Sequence, residues 1–250
     1  MEVILYSYIF ILGIVIGSFL NVCIYRYPIH LSISKGYSFC PQCNHRLMPI
    51  DLIPVFSYLF LKGKCRYCGD PIPLRYPFVE LLGGLAFLLA FHVYGVSWLF
   101  VIEAILLCVC IVVAFIDIDT MEILDGTHFI LLALALCTLL IQSNTISSAL
   151  IGSLFISVPL GLIAWLSKGG IGGGDVKLMA SAGALLGASN IVLAALIGII
   201  SAGIYAGYLM VVKHVEGKAH MALGPFLVVG IAIASLSGTQ IITWYLQFFN

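Results

Sequence analysis

Residues 172–175 read "GGGD", between "SKGGI" and the apolar run "VKLMA". Asp175 therefore opens a stretch that otherwise reads as membrane-spanning, where a carboxylate is costly unless it is paired, solvated or used. A second acidic cluster, "AFIDIDTMEILD" at 114–125, places Asp117, Asp119, Glu122 and Asp125 at the end of another apolar run. Two carboxylates brought together in a low-dielectric site cannot both ionise, so they share a proton. One then acts as general base on a water, while the other polarises a peptide carbonyl and later protonates the leaving nitrogen. That is aspartic endopeptidase chemistry. Gly172 and Gly174 suit it, because a backbone without side chains adopts unusual angles and lets an extended peptide approach closely. Competing readings treat the glycines as a helix-packing surface, and Asp119 and Glu122 as solvated groups at a helix end. The segment is not a phosphate-binding loop: Val176 separates Asp175 from Lys177, and Leu178 stands where Ser or Thr is needed. Of the remaining acids in apolar runs, Glu103 lies deep enough to need a partner, and Glu80 can pair with Arg75 near the interface.

The second candidate site is made of thiols. "CPQC" at 40–43 and "CRYC" at 65–68 are separated by 21 residues, the spacing of a four-cysteine zinc site. Cys40, Cys43, Cys65 and Cys68 are the expected ligands, and a closed four-thiolate site leaves no open position for catalysis, so the metal is structural. The rival reading is a redox-active or disulfide pair, which a cytoplasmic location disfavours. Cys23, Cys108, Cys110 and Cys137 sit inside apolar runs as small buried hydrophobes. The six histidines are scattered without ligand spacing, and His45 alone is placed to substitute as a ligand.

The elements that must position these groups are membrane helices. The chain of 250 residues is 62% hydrophobic and 9% charged, with a mean hydropathy of +1.16, whereas a soluble domain carries roughly a quarter charged residues. Apolar runs at 3–25, 78–95, 97–116, 127–142, 146–167, 176–189, 190–212 and 222–246 predict about eight transmembrane helices in an all-α membrane protein. The run from 178 to 212 is too long for one span, and "GASN" at 187–190 is where it turns. The fourth and sixth runs are short. Residues 26–77 form a cytoplasmic four-cysteine loop domain after the first helix (1–25), and 78–250 form a seven-helix core.

Charge fixes the expected orientation. Arg26, Lys35, Arg46, Lys62, Lys64, Arg66 and Arg75 follow the first span, Lys168 and Lys177 follow the fifth, and Lys213 and Lys218 follow the seventh. Eight alternating spans put all eleven Lys and Arg on one side, the cytoplasm, with both termini outside. The two aspartate motifs then lie at the same membrane face. The amino terminus has Glu2 and no basic n-region, so it reads as a retained span rather than a signal peptide. The net charge of zero gives no pointer to nucleic acid, and no nucleic-acid partner is expected. The lipid bilayer is.

Several stretches, in order along the chain, resemble the type IV prepilin peptidases: "GSFLNVCIYRYP" at 17–28, "CPQC" at 40–43, "DLIPVFSYLFLKGKCRYCGDPI" at 51–72, "RYPFVELLGG" at 75–84, "AFIDIDTMEILD" at 114–125 and "GGGDVKLMA" at 172–180. The resemblance implies eight spans, a site open to the cytoplasm in the bacterial inner membrane, and Asp117 and Asp175 as the catalytic pair. It implies cleavage of the leader of a prepilin or pseudopilin, in pilus, competence or secretion systems. It also implies methylation of the new N-terminal residue with S-adenosylmethionine, since the cysteine loop is typical of the bifunctional members. No glycine-rich dinucleotide fingerprint marks the cofactor site. Asn21, Arg26 and Glu80 lie in the matched stretches and are its candidates. The sequence departs from the family at Leu124, where Pro usually precedes the last Asp of the motif, and this bears on the turn around Asp125. The rival functions are an intramembrane GxGD protease without methyltransferase activity, which lacks the cysteine loop, and an acid-dependent cation transporter, which calls for mid-membrane carboxylates and paired broken helices.

Overall fold

The computed structural model describes residues 2–141, 146–167, 170, 172–213 and 221–248, and these are helical with no strand among them beyond two isolated bridges. Lys168, Lys218, His214 and His220 lie outside the described residues. The helices are α1 Glu2–Arg26, α2 Phe56–Phe60, α3 Arg75–Tyr94, α4 Trp98–Thr120, α5 Asp125–Ile141, α6 Ile146–Leu166, α7 Gly173–Val212 and α8 Gly224–Leu246. Six of them are long and apolar enough to cross a membrane, and the 17-residue α5 is apolar but short. α7 runs for 40 residues and breaks at Gly187, whose φ of 77° and ψ of 172° only glycine adopts freely. Its two halves count separately, giving eight apolar helical segments among the described residues. The break falls at the "GASN" turn read from the sequence.

α4 is longer than its apolar run. It continues past 116 into the acidic motif as far as Thr120 and stops where Met121 takes the left-handed conformation, φ 55°, and donates its N–H to the Asp117 carbonyl. Asp117 and Asp119 are thus in the last turn of a helix, at the helix end where the motif was expected. Despite Leu124 in place of the family proline, the chain still turns here. The Leu124 carbonyl accepts from the Thr127 N–H and hydroxyl, and α5 starts at Asp125.

The chain forms two compact units, Met1–Val96 and Ser97–Asn250. The sequence-based division at 25/26 and 77/78 follows the limits of apolar runs, which is a different kind of boundary. In the first unit α1 packs on α3 through glycines. A Cβ on Gly17 would meet the Glu80 Cα at 2.7 Å, and one on Gly13 would meet the Gly83 carbonyl oxygen at 2.6 Å, so the two backbones touch, as small residues permit in membranes. In the second unit α7 packs against α5, α6 and α8, and α8 against α4. Its core includes Leu106, Val113, Leu131, Met179, Ile191 and Leu227. Large apolar side chains such as Ile4, Leu140, Trp165 and Ile204 remain exposed on the helix exteriors, the pattern of helices that face lipid rather than water.

Candidate active site

In the second unit the last turn of α4 and the first turn of α7 come together. Asp117 and Asp175 are both buried, at 5% and 8% exposure, and are close enough that the charge of Asp117 acts on Asp175. Each has a glycine against it. Gly172 caps α7 in extended conformation, φ −65° and ψ 138°, and accepts from the Asp175 N–H at 3.1 Å. A Cβ there would sit 2.9 Å from Asp175 Oδ2. Gly174 instead faces Ile123, whose Cβ would lie 3.0 Å from an added Cβ. It lets the start of α7 close onto the turn after α4.

The third contributor is Gly224, at the start of α8. Its N–H donates to Asp117 Oδ2 at 2.8 Å, and a Cβ on it would fall 2.6 Å from the same oxygen. Sequence reasoning missed this residue, although "LGPF" at 223–226 sets glycine and proline at the mouth of the last span, a helix-start signal. Asp175 Oδ1 is buried and has no hydrogen-bond partner among the described residues. Buried polar atoms are rarely left so.

The other acids of the motif are elsewhere. Asp119 and Glu122 are exposed, and Asp125 forms an exposed ion pair with Lys177 at 2.7 Å. Glu103 lies near the opposite end of α4 from Asp117 and finds the expected partner in the Ser235 hydroxyl of α8, 2.6 Å away. His128, on α5, is buried, and neither ring nitrogen has a hydrogen-bond partner among the described residues.

In the first unit the sulfur atoms of Cys40, Cys43, Cys65 and Cys68 lie within 4.8 Å of one another. Cys40 and Cys68 sulfurs are 3.9 Å apart, near the ~3.8 Å edge of a tetrahedron with zinc–sulfur bonds of ~2.3 Å. The two halves are built alike. In each, a bridge flanks the cysteine pair, Phe39 with Arg46 and Lys64 with Pro71. In each the first cysteine carbonyl accepts from a residue of positive φ, Asn44 or Gly69. Burial pushes the Cys40 thiol up, but the Cys43 and Gln42 backbone groups and neighbouring thiols outweigh it and bring it to about 7, which favours the thiolate that a metal needs. His45 is not a ligand candidate: its ring stacks on Tyr67 at 3.7 Å. Asp51 braces this region, accepting from Arg66 Nε at 2.6 Å, the Tyr67 hydroxyl at 3.0 Å and the Met48 N–H at 3.1 Å. Burial opposes its ionisation, and those donors still hold its carboxyl below the usual range.

Between α1, α3 and the loop lies a cavity of about 570 Å³. Asn21, Arg26 and Glu80 all line it, and all three are buried. Their commitments differ. Arg26 spends its guanidinium on the carbonyls of Ser32, Lys35 and Tyr37, which makes it a brace for the loop. Asn21 donates to the Tyr76 carbonyl at 3.0 Å. Glu80, expected beside Arg75, instead accepts from the Val55 N–H at 2.7 Å.

A family model described as the bacterial peptidase A24 N-terminal domain matches residues 11–94, and one described as the type IV leader peptidase family matches residues 104–207. The prepilin leader peptidase/N-methyltransferase of Bacillus subtilis (strain 168) is 33% identical over 242 residues, covering 96% of this chain and 98% of its own. Proteins of the same name from Aeromonas hydrophila and Neisseria gonorrhoeae are 32% and 34% identical, covering 98% and 94% of this chain and 94% and 93% of theirs. No solved structure matches the chain.

Proposed function

The chain belongs to the type IV leader peptidase family, and from that premise we propose that it is a multi-pass inner-membrane enzyme that cleaves prepilins and N-methylates the product. The observation that carries the peptidase half is the meeting of buried Asp117 and Asp175 beside three glycines, with one aspartate oxygen unpartnered among the described residues. The comparisons give no support to a cation transporter or to a protease without methyl transfer.

Asp117 and Asp175 form the catalytic pair. One carboxylate takes a proton from water as the water oxygen bonds to the scissile carbonyl carbon. The protonated partner gives its proton to the carbonyl oxygen. Collapse of the tetrahedral species breaks the carbon–nitrogen bond, and a proton passes to the departing amine. The Gly224 N–H holds Asp117 in place without adding a charge. Gly172 leaves the backbone beside the Asp175 carboxylate open to an extended substrate on the cytoplasmic side, where the basic residues collect, and Gly174 lets α7 close onto Ile123 behind it.

Zinc fits the four cysteines and would order a loop with too little core of its own. The cavity of the first unit suits S-adenosylmethionine in size, since ligand pockets run from ~300 to ~1,000 Å³. Tyr25, Tyr58 and Tyr76 line it, and aromatic faces attract cations such as a sulfonium. When bound, this donor supplies an electrophilic methyl group. Asn21 and Glu80 are the polar groups beside it, and Arg26 shapes the wall.

Asp117→Asn and Asp175→Asn, made separately, should each abolish cleavage of a prepilin or pseudopilin substrate. Methylation of a pre-cleaved peptide and zinc content should be unchanged. Cleavage that survives in folded Asn variants refutes the pair.

A further inference from the structure

Glu80 is a buried carboxylate that the peptidase does not use. It sits in the second turn of α3, lines the cavity and is 8% exposed. Its one described backbone donor is Val55, the residue before α2, held at φ 62° and ψ −50°. A β-branched side chain at such a φ is a true outlier, and strain of this kind persists only where the surroundings over-determine it. The chain thus distorts its backbone to bring an N–H onto Glu80, fixing one oxygen and the orientation of the whole group.

Two other acids line the cavity, Asp51 and Asp70. Asp51 is taken by Arg66, Tyr67 and Met48. Asp70 belongs to the cysteine cluster, its carbonyl accepting from the Cys65 N–H. Glu80 is the acid at the membrane end: Val15 and Ser18 of α1 line the same space, and Val15 is ~16 Å along the helix from Arg26. A cavity that runs from a polar loop down a membrane helix, with a carboxylate along it, suits one class of ligand. That ligand is an amine joined to an apolar chain.

We propose that Glu80 receives the N-terminal amine of the cleaved substrate in this cavity and takes its proton for methyl transfer. The inference rests on the bifunctional reading above. The free N-terminus has an ordinary pKa of about 7.7–8.0, so at neutral pH it arrives mainly as an ammonium with no lone pair to react. One N–H proton passes to a Glu80 oxygen. The freed lone pair forms the nitrogen–carbon bond to the methyl group of the sulfonium donor as the carbon–sulfur bond breaks. The sulfur keeps that electron pair as a neutral thioether, and the product is a secondary ammonium. Glu80 is then a catalytic residue for methylation, and Val55 is the residue that positions it.

The decisive experiment measures binding with no methyl donor present. Full-length wild type and Glu80→Gln are titrated with an apolar peptide that has a free N-terminus, and with its N-acetyl form. Glutamine still accepts from Val55, so the fold and the zinc content, which are measured in parallel, are retained. Wild type should prefer the free amine by about 10- to 100-fold, as a hydrogen bond to a charged group commands, and Glu80→Gln should bind both forms alike. Methylation by the variant should fall by about 10-fold at pH 7, since an amine of pKa about 7.7–8.0 is about nine-tenths protonated there, and recover toward wild type near pH 9 as the amine deprotonates unaided. A merely structural role gives a loss that does not change with pH. A wild type without the preference, or a variant that keeps it, overturns the proposal. Carbodiimide coupling of the peptide amine to wild type tests it without any variant: the amide should map to Glu80, and an amide on Asp51 or Asp70 overturns it. If Glu80 binds the amine but wild type transfers no methyl group, the methyltransferase reading falls on its own.

Discussion

Replacing Gly224 by alanine tests whether the hydrogen bond at the start of α8 sets the peptidase geometry. The added Cβ would lie 2.6 Å from Asp117 Oδ2 and 3.0 Å from its Cγ, where ordinary contact begins at 3.4 Å. Relief moves the carboxylate or the start of α8 by about 0.8 Å, and a misplacement of that order costs about 100-fold in rate when groups must meet in line. The same overpacking costs about 1–3 kcal/mol in stability. Gly224→Ala should therefore cleave prepilin about 100-fold more slowly, the loss appearing in kcat rather than KM. It should unfold a few degrees lower and still methylate a pre-cleaved peptide at the wild-type rate. Steady-state cleavage in nanodiscs, with zinc content and thermal unfolding beside it, reads all of these. A variant that cleaves within about threefold of wild type while keeping its N–H on Asp117 refutes the claim that this contact positions the acid.

Gly17→Ala should act in the opposite unit. Its Cβ would sit 2.7 Å from the Glu80 Cα, so methylation of a pre-cleaved peptide should drop at least about tenfold, on the scale of a sub-ångström misplacement, with little change in cleavage. Unchanged methylation shows that the α1–α3 contact does not set the cavity. Chelating the metal, or Cys65→Ser, should raise hydrogen exchange through residues 38–71 and leave α4–α8 protected; equal protection in the loop refutes a structural zinc. Asp51→Asn should destabilise the loop by about 1–2 kcal/mol at neutral pH, because charge-assisted bonds are lost from a partly exposed pair that solvent screens. The folded pKa of Asp51 is lowered, so its contribution is present above the unfolded value of about 3.9 and fades as pH falls through the lower folded value. The difference between wild type and Asp51→Asn should be constant from pH 5 to pH 8 and close only in stronger acid. A gap that closes near pH 6 refutes that assignment.

What could be read from the sequence depended on whether a residue's role lies in its own side chain. The cysteine pairs, the aspartate motifs and the turn at Gly187 announce themselves, since thiols at fixed spacing, acids in apolar runs and glycine inside an overlong span each have a physical consequence wherever they fold. The apolar run of α4 stops at 116 and only places its end somewhere in the acidic motif, whereas the backbone shows the helix continuing until Met121 turns left-handed. Arg26 stood among the candidates for the cofactor site because it lies in a matched stretch, while its three carbonyl partners could not be seen there. Gly224 and Val55 were silent for a deeper reason: each contributes only a backbone N–H, which every residue but proline has, so only the tertiary fold reveals them.

Those two silent residues share one design. Asp117 and Glu80 are buried acids on membrane helices, and each is held by a single backbone N–H from the start of another helix, at 2.8 Å and 2.7 Å. A lysine or arginine in the same place would bind more strongly, but it would fix the acid in its ionised form and fill the space that substrate needs. A neutral donor orients one oxygen and leaves the group free to gain and lose a proton, which peptide hydrolysis and amine deprotonation both demand. Placing a cation beside either acid should therefore harm catalysis more than removing the donor's neighbour contacts does. For Glu80 the change is Ser18→Lys, since Ser18 is within hydrogen-bonding reach of that carboxylate. Methylation should be lost across the pH range, without the recovery near pH 9 expected of Glu80→Gln, because the ammonium of the new lysine occupies the seat of the substrate amine. Recovery at high pH in Ser18→Lys refutes the shared logic.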